Sequence, residues 1–249
     1  TAAVKLNGSL GQVRYGLLAA NEGDEVGRDF YALRATRDFG DQDLGVMLSR
    51  VDRPFLDRVA TVYSADHLWT PDPAWVVRTQ AVASSVDQAG TRSDDFGAQL
   101  RIDHALGEGW RQQLYLLHLG DELQLNDIGY LDRNDFNYVR YELARRRSGF
   151  PEDSKYASWE TRWAVSNRRN VRGTVIAEAA AINRSSERRD GGSEFWEVAA
   201  WSSGHDDLIT RGNGVLRVPE KLYANWERSR PRQGAWAWKG WARLAGEGL

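Results

Sequence analysis

The sequence predicts an all-β fold, an antiparallel up-and-down transmembrane β-barrel with about fourteen strands. Apolar and polar residues alternate with a period of two along most of the chain, and short polar or glycine-containing stretches separate these segments. The chain has 11 tryptophans but only 6 prolines. Few prolines permit long strands, and aromatic residues near strand ends are typical of the belts at membrane interfaces.

The clearest hairpin covers residues 94–119. Phe96, Ala98 and Leu100 alternate with charged and polar residues, and the turn at residues 105–109 contains two glycines. Successive side chains of a strand point to opposite faces. Each strand of this hairpin is therefore expected to have one apolar face and one polar face.

The same alternation predicts strands along the rest of the chain. The first hairpin is expected within residues 4–19, with its turn near residues 7–9. Alanines at 177–181 have helical propensity, but the alternation before them favours a strand. Residues 208–226 are only weakly periodic. The further strands are expected at residues 28–39, 44–48, 59–63, 75–84, 138–143, 157–165, 171–179, 194–201 and 236–244.

Composition excludes several classes of function. The net charge of -2 argues against a nucleic-acid binder, and the absence of cysteine excludes disulfides, thiol nucleophiles and cysteine-zinc sites. No apolar run approaches the roughly 20 residues of a membrane helix. The four histidines are scattered, and no nucleophile elbow, P-loop or dinucleotide motif occurs. The sequence therefore predicts no catalytic, cofactor or metal site and favours a protein that is not an enzyme.

The polar face carries the candidate functional residues. In a barrel, charged side chains on this face would line a wet lumen, where opposite charges of neighbouring strands can pair. The alternative is that these residues form ion pairs within the wall, with partners such as Glu160, and serve only stability. The lumen candidates are Arg78, Arg101, Arg140, Glu160, Arg162 and Arg172.

The apolar face distinguishes a barrel from a β-sandwich. Its residues differ widely in size, which lipid tolerates, whereas a sandwich core requires matched volumes at high packing density. Leu100, Val77, Trp163 and Val175 lie in mid-strand on this face and are predicted to contact lipid. Ala177 and Ala179 are assigned to the same face, opposite the polar Glu178.

Two polar stretches are interpreted as structural. Arg145, Arg146 and Arg147 are expected to form a solvated strand end rather than a binding patch. Residues 132–135 are expected to form an ordered loop, because asparagine and aspartate stabilise turns and Arg133 can pair with either aspartate.

Three stretches resemble a family of bacterial outer-membrane β-barrels of unknown function, which usually follow a carbohydrate-binding family 9-like domain. Residues 4–18, VKLNGSLGQVRYGLL, are similar to the family's glycine-containing first hairpin. Residues 127–135, DIGYLDRND, are similar to its GYL-x-RND stretch. Residues 210–214, TRGNG, are close to its TRGGP loop and depart from it at Asn213 and Gly214.

The resemblance implies that residues 1–249 form one β-barrel domain, an internal portion of a longer chain, in the bacterial outer membrane. The implied partners are the lipid bilayer, other outer-membrane or periplasmic proteins, and glycans through an absent domain. Transport, partner docking or scaffolding is the expected role. The alternative is a soluble β-rich module that binds or hydrolyses carbohydrate through exposed tryptophans. The resemblance implies no catalytic residues, and no nucleic acid is expected as a partner.

Overall fold

The computed structural model describes residues 1–24, 26–127, 129–210 and 213–248, and only the backbone of Gln233. In these ranges the chain forms strands and one short 3-10 helix, Pro54–Leu56, so the predicted all-β antiparallel class is confirmed. No helix in the described ranges has the length and hydropathy of a membrane span. The strands are β1 Ala2–Leu10, β2 Val13–Asn21, β3 Asp29–Asp38, β4 Gln42–Arg53, β5 Arg58–Trp69, β6 Trp75–Gln88, β7 Thr91–Gly107, β8 Trp110–Leu119, β9 Phe136–Ser148, β10 Tyr156–Arg169, β11 Val175–Arg188, β12 Ser193–Trp201, β13 Gly204–Asp206, β14 Leu216–Val218, β15 Lys221–Gln233 and β16 Trp236–Glu247.

Fourteen strands form one up-and-down sheet in chain order, from β1 to β12 and then β15 and β16. Strands β13 and β14 pair with each other in the connection between β12 and β15. The weakly periodic stretch at residues 208–226 corresponds to this connection and the beginning of β15. The alanines at 177–181 lie in β11, so the strand prediction for them is confirmed.

The chain divides into two compact units. Unit 1 comprises residues 1–102 and 115–137, and unit 2 comprises residues 103–114 and 138–249.

The first hairpin turns later than predicted. β1 continues to Leu10, and the turn is formed by Gly11 and Gln12, with Gly11 at a φ of 60°. The positive φ of Gly11, which glycine adopts without steric cost, makes the two-residue turn possible. Gly8 instead lies within β1 opposite Tyr15, and a Cβ at Gly8 would lie 2.5 Å from the Tyr15 hydroxyl oxygen.

The turn between β10 and β11 is also longer than predicted. β11 begins at Val175, and Arg172 lies exposed in the preceding turn rather than in a strand. The Asn170 side-chain oxygen accepts a hydrogen bond from the Thr174 amide at 2.9 Å, which closes this turn. The placement of Arg172 on a strand face is therefore wrong.

The faces of β11 are the reverse of the predicted ones. Ala179 pairs with Ser166 of β10 and so shares the face of Arg162, whereas Glu178 pairs with Asn167 on the face of Trp163. Asn167 donates a hydrogen bond of 2.6 Å to the Glu178 carboxylate. A run of alanines has almost no amphipathic pattern, so the register with the neighbouring strands sets its faces.

A small core lies at one end of unit 1. Val51, Ala60 and Val86 pair directly across β4, β5 and β6, and each is at most 2% exposed. Leu123, only 1% exposed, belongs to the connection between β8 and β9. The adjacent Gln124 amide donates to the Ser84 hydroxyl of β6 at 3.0 Å. The connection therefore packs against the sheet and completes this core.

Candidate functional surface: two faces of the sheet and a bound loop

A continuous row of large apolar side chains crosses unit 1. Its members pair directly in the printed register of β1 to β5, so they share one face of the sheet. All are exposed, with fractions between 38% and 53%. The row consists of Leu6, Leu17, Leu33, Leu48 and Tyr63. Exposed apolar surface this extensive is characteristic of a surface that contacts a partner or a membrane.

The opposite face of unit 1 is polar. Arg34 of β3 forms an ion pair of 2.9 Å with Asp66 of β5 across β4. Gly45 of β4 lies beneath this pair, and a Cβ at that position would lie 2.8 Å from an Arg34 nitrogen. Glycine therefore permits an ion pair between strands that are not adjacent.

Two predicted lumen residues lie on this polar face. Asp66 pairs with Gln80, and the Gln99 amide donates to the Gln80 side chain at 2.7 Å. Arg78 is two residues from Gln80, and Arg101 is two residues from Gln99, so each arginine shares the face of its neighbour. The polar face thus extends from β3 to β7.

The connection at residues 120–135, named the anchored loop here, is fixed to unit 1 by Asp127. This carboxylate is 6% exposed, and it accepts hydrogen bonds from Arg58 Nε at 3.1 Å and Arg58 Nη2 at 2.7 Å. Arg53 Nε lies 3.4 Å from the same carboxylate. Arg58 also donates to the Gln124 side chain at 2.9 Å. Two strand arginines therefore neutralise the one buried carboxylate of the loop.

The anchored loop is also closed internally. The Asn134 side chain donates to the backbone oxygens of Asp121 and Leu123, at 2.7 and 3.2 Å. Arg133 donates to the backbone oxygen of Asp135 at 3.4 Å, and its guanidinium lies 5.3 Å from the centre of the Phe136 ring. Residues 132–135 thus form an ordered loop, which is the structural role expected from the sequence.

The polar face of unit 2 carries a network of paired charges. Glu160 accepts hydrogen bonds from Arg162 at 2.6 Å and from Arg111 at 2.7 Å. Glu142 accepts from Arg140 at 2.9 Å and lies 4.0 Å from Arg162. Three predicted lumen residues, Arg140, Glu160 and Arg162, are therefore brought together, and each takes part in a wall ion pair.

Neighbouring rows of side chains in unit 2 alternate between apolar and polar residues. One row across β10, β11, β12, β15 and β16 is apolar, and it consists of Trp163, Ile182, Val198, Ala224 and Leu244. The row one residue away along each strand is polar, and it consists of Arg162, Asn183, Glu197, Asn225 and Arg243. Unit 2 thus repeats, independently, the two-faced sheet of unit 1.

Arginines over aromatic rings border the apolar face of unit 2. The Arg145 guanidinium lies 4.8 Å from the centre of the Trp110 ring, and the Arg184 guanidinium lies 4.0 Å from that of Trp159. Trp110 stacks on Trp163, with ring centres 5.9 Å apart. Arg145 therefore packs on an aromatic ring while remaining partly exposed, and Arg146 and Arg147 are exposed near the end of β9, as expected of a solvated strand end. These contacts could not be predicted from the sequence, because the partners lie on different strands.

The titratable groups form no metal site in the described residues. His118 Nδ1 donates a hydrogen bond to the Asn137 side-chain oxygen at 2.8 Å, and its ring centre lies 5.0 Å from that of Phe96, which is a packing role. In the loop between β2 and β3, a hydrogen bond from Arg28 lowers the pKa of Glu22. In the turn after β11, a backbone hydrogen bond from Gly192 lowers the pKa of Asp190. These shifts belong to structural turns.

No protein-family model, no curated protein and no solved structure matches this chain. Two of the stretches that resemble the outer-membrane family are only partly described. Ile128 in the second stretch, and Arg211 and Gly212 in the third, lie outside the described residues.

Proposed function

We propose that the sheet is the wall of a transmembrane β-barrel in the bacterial outer membrane, with a role in transport, partner docking or scaffolding. The apolar face of each unit would contact lipid, and the polar face would line the lumen. The single observation that carries this proposal is the exposed row from Leu6 to Tyr63, which crosses five strands without a polar member. Water would solvate such a row poorly, whereas acyl chains match it.

The polar face supports the same assignment. In a wet lumen, pairs such as Arg34–Asp66 and Arg162–Glu160 neutralise charge while remaining hydrated. The anchored loop packs on this face of unit 1, as inward-folded loops do in barrels with a filled lumen. Its arginine-bound Asp127 gives a stable attachment that a partner protein would have to displace or accommodate.

The test is whether the full-length chain behaves as an integral membrane protein. We expect it to require detergent for solubility, to fold into phospholipid vesicles, and to migrate faster on a denaturing gel before boiling than after boiling. A carbonate wash of the vesicles should leave it bound. A monodisperse, β-rich protein in detergent-free buffer would refute the membrane assignment.

A soluble carbohydrate-binding module is the second candidate. Trp236 and Trp238 are two residues apart in β16 and are 81% and 44% exposed, a spacing that places both indoles on one face. Exposed aromatic rings of this kind can stack on sugar rings. Detergent-free solubility together with saturable binding to a polysaccharide, lost in Trp236→Ala and Trp238→Ala, would support this candidate over the first.

A further inference from the structure

An apolar depression lies on the outward face of unit 2. Its volume is about 480 Å³, and small alanines form its floor between larger side chains. The larger lining residues are Tyr141, Leu143, Trp163, Val165, Ile182 and Val198. The lining is almost entirely hydrocarbon and aromatic, so it fits an acyl chain rather than a polar solute.

Positive charge borders this depression on the same face. Arg184 is two residues from Ile182 in β11 and therefore points to the side that the depression occupies. Arg145 lies over Trp110, which stacks on Trp163 in the wall of the depression. Arg145 is thus joined to the depression by ring contacts, and Arg184 is next to it on the same face of β11.

The two arginines retain unused hydrogen-bonding capacity. The Nε atoms of both Arg145 and Arg184 are buried, and neither has a hydrogen-bond partner among the described residues. Both side chains are partly exposed, and their planar faces lie against tryptophan rings. Because each Nε is buried, an external phosphate would be bound through the Nη groups of these partly exposed side chains, and guanidinium N–H groups are good donors to phosphate oxygens.

We propose that this surface binds a phosphate-bearing anionic lipid of the bilayer. One acyl chain occupies the depression, and the phosphate lies between Arg145 and Arg184. The inference rests on the proposed membrane location, because only then do the depression and the arginines face lipid. The tryptophans beneath the two guanidinium groups, Trp110 and Trp159, are of the residue type that concentrates at the headgroup level of a membrane.

The test compares phosphatidylglycerol with phosphatidylcholine as ligands of the full-length protein in one neutral detergent. Binding is measured by native mass spectrometry of the retained lipid. We expect the wild-type protein to prefer phosphatidylglycerol by about thirtyfold, since each of the two arginines near an anionic headgroup contributes on the order of 1 kcal/mol. The double variant R145Q/R184Q should lose this preference.

The matched control is R140Q/R162Q, which removes two arginines from the opposite face of the same unit and should keep the preference. R145K/R184K keeps the charge without the planar stack and should retain a reduced preference. If R145Q/R184Q does not fold, R145K/R184K is the variant whose lipid preference is measured. Equal binding of the two lipids by the wild-type protein, or an unchanged preference in both R145Q/R184Q and R145K/R184K, would overturn the proposal.

Inorganic phosphate serves as a competitor. Displacement of the lipid by millimolar phosphate would show a site for a free anion and would also refute the lipid assignment. These outcomes are separate from a failure of the membrane proposal. If the protein folds into vesicles of either lipid but shows no preference, the membrane proposal stands and the lipid site is refuted. If the protein is soluble without detergent, both proposals fail.

Discussion

Arg58 holds Asp127 with two hydrogen bonds, of 3.1 and 2.7 Å, although the two residues are 69 positions apart in the chain. Arg58 begins β5, and Asp127 lies in the anchored loop after β8. Because the carboxylate is 6% exposed, solvent screens this pair less than a surface pair. The contact therefore fixes a long connection to one particular site on the sheet.

Asp127→Asn should release the anchored loop. The substitution leaves Arg53 and Arg58 partly buried without their carboxylate, and breaking such a buried pair costs roughly 3–5 kcal/mol. We expect rapid protease cleavage within residues 120–135 and loss of amide protection there. The sheet itself should keep its circular dichroism.

The control for this prediction is Asp132→Asn, in the same loop. Asp132 is exposed, and the Tyr130 hydroxyl donates to it at 3.1 Å, so its loss should leave the cleavage rate close to that of the wild type. Equal cleavage of the two variants would show that the Arg58–Asp127 contact does not secure the loop.

Leu48→Arg should impair insertion into the membrane. Leu48 lies within the exposed apolar row, between Leu33 and Tyr63. An arginine on the lipid-facing side of a strand costs roughly 2–4 kcal/mol of insertion free energy at the bilayer midplane. The yield of heat-modifiable protein after folding into vesicles measures the effect. Ser64→Arg, next to Tyr63 but on the polar face, should insert like the wild type; equal yields for both variants would contradict the assignment of the faces.

Replacing Arg101 and Arg162 together by glutamine tests the proposed lumen. Both lie on polar faces, so their loss should shift the reversal potential of the reconstituted chain in a salt gradient towards cation preference. Arg172→Gln, in an exposed turn, is the control and should leave the potential unchanged. An unaltered potential in the double variant would mean that the arginines serve only as wall ion pairs, and a complete lack of conductance would favour docking or scaffolding over passage.

The loop between β2 and β3 should loosen in acid. Arg28 donates to the Glu22 carboxylate at 2.8 and 2.6 Å and lowers its pKa below the ordinary 4.5. A depressed carboxyl pKa stabilises the folded state above the unfolded pKa, and this contribution is lost as the pH falls through the folded pKa. Amide protection of residues 22–24, 26 and 27 in the wild type should therefore exceed that in Glu22→Gln at pH 6 and equal it near pH 2.

The sequence predicted the class and chain order of this fold because period-two alternation is a local property of each strand. Trp163 shows this, since its alternation with Glu160 and Arg162 assigns it to the apolar face, and the register agrees. Ala177 and Ala179 show the limit, because alanine is compatible with either face and only pairing with β10 decides it.

The contacts of the anchored loop could not be predicted from the sequence, for a different reason. Nothing near Asp127 in the chain distinguishes it from the other loop carboxylates. Its partners Arg53 and Arg58 lie far away in the chain, at the end of β4 and the beginning of β5. The resemblance identified the surrounding stretch, residues 127–135, but not this pairing. Contacts between distant segments depend on where the whole loop packs on the sheet rather than on any local pattern.

The alternating rows also restrict how the length of this chain can change. Inserting or deleting one residue within β3 would turn Leu33 to the polar face and Arg34 to the apolar face, together with every residue beyond the change. Inserting or deleting two residues within a strand would preserve both faces, and the turns would accept changes of one or of two residues. The two odd steps between β10 and β11 lie at the two ends of β10, between Tyr156 and Ser158 and between Arg168 and Arg169, where only the terminal residues of the strand are reversed.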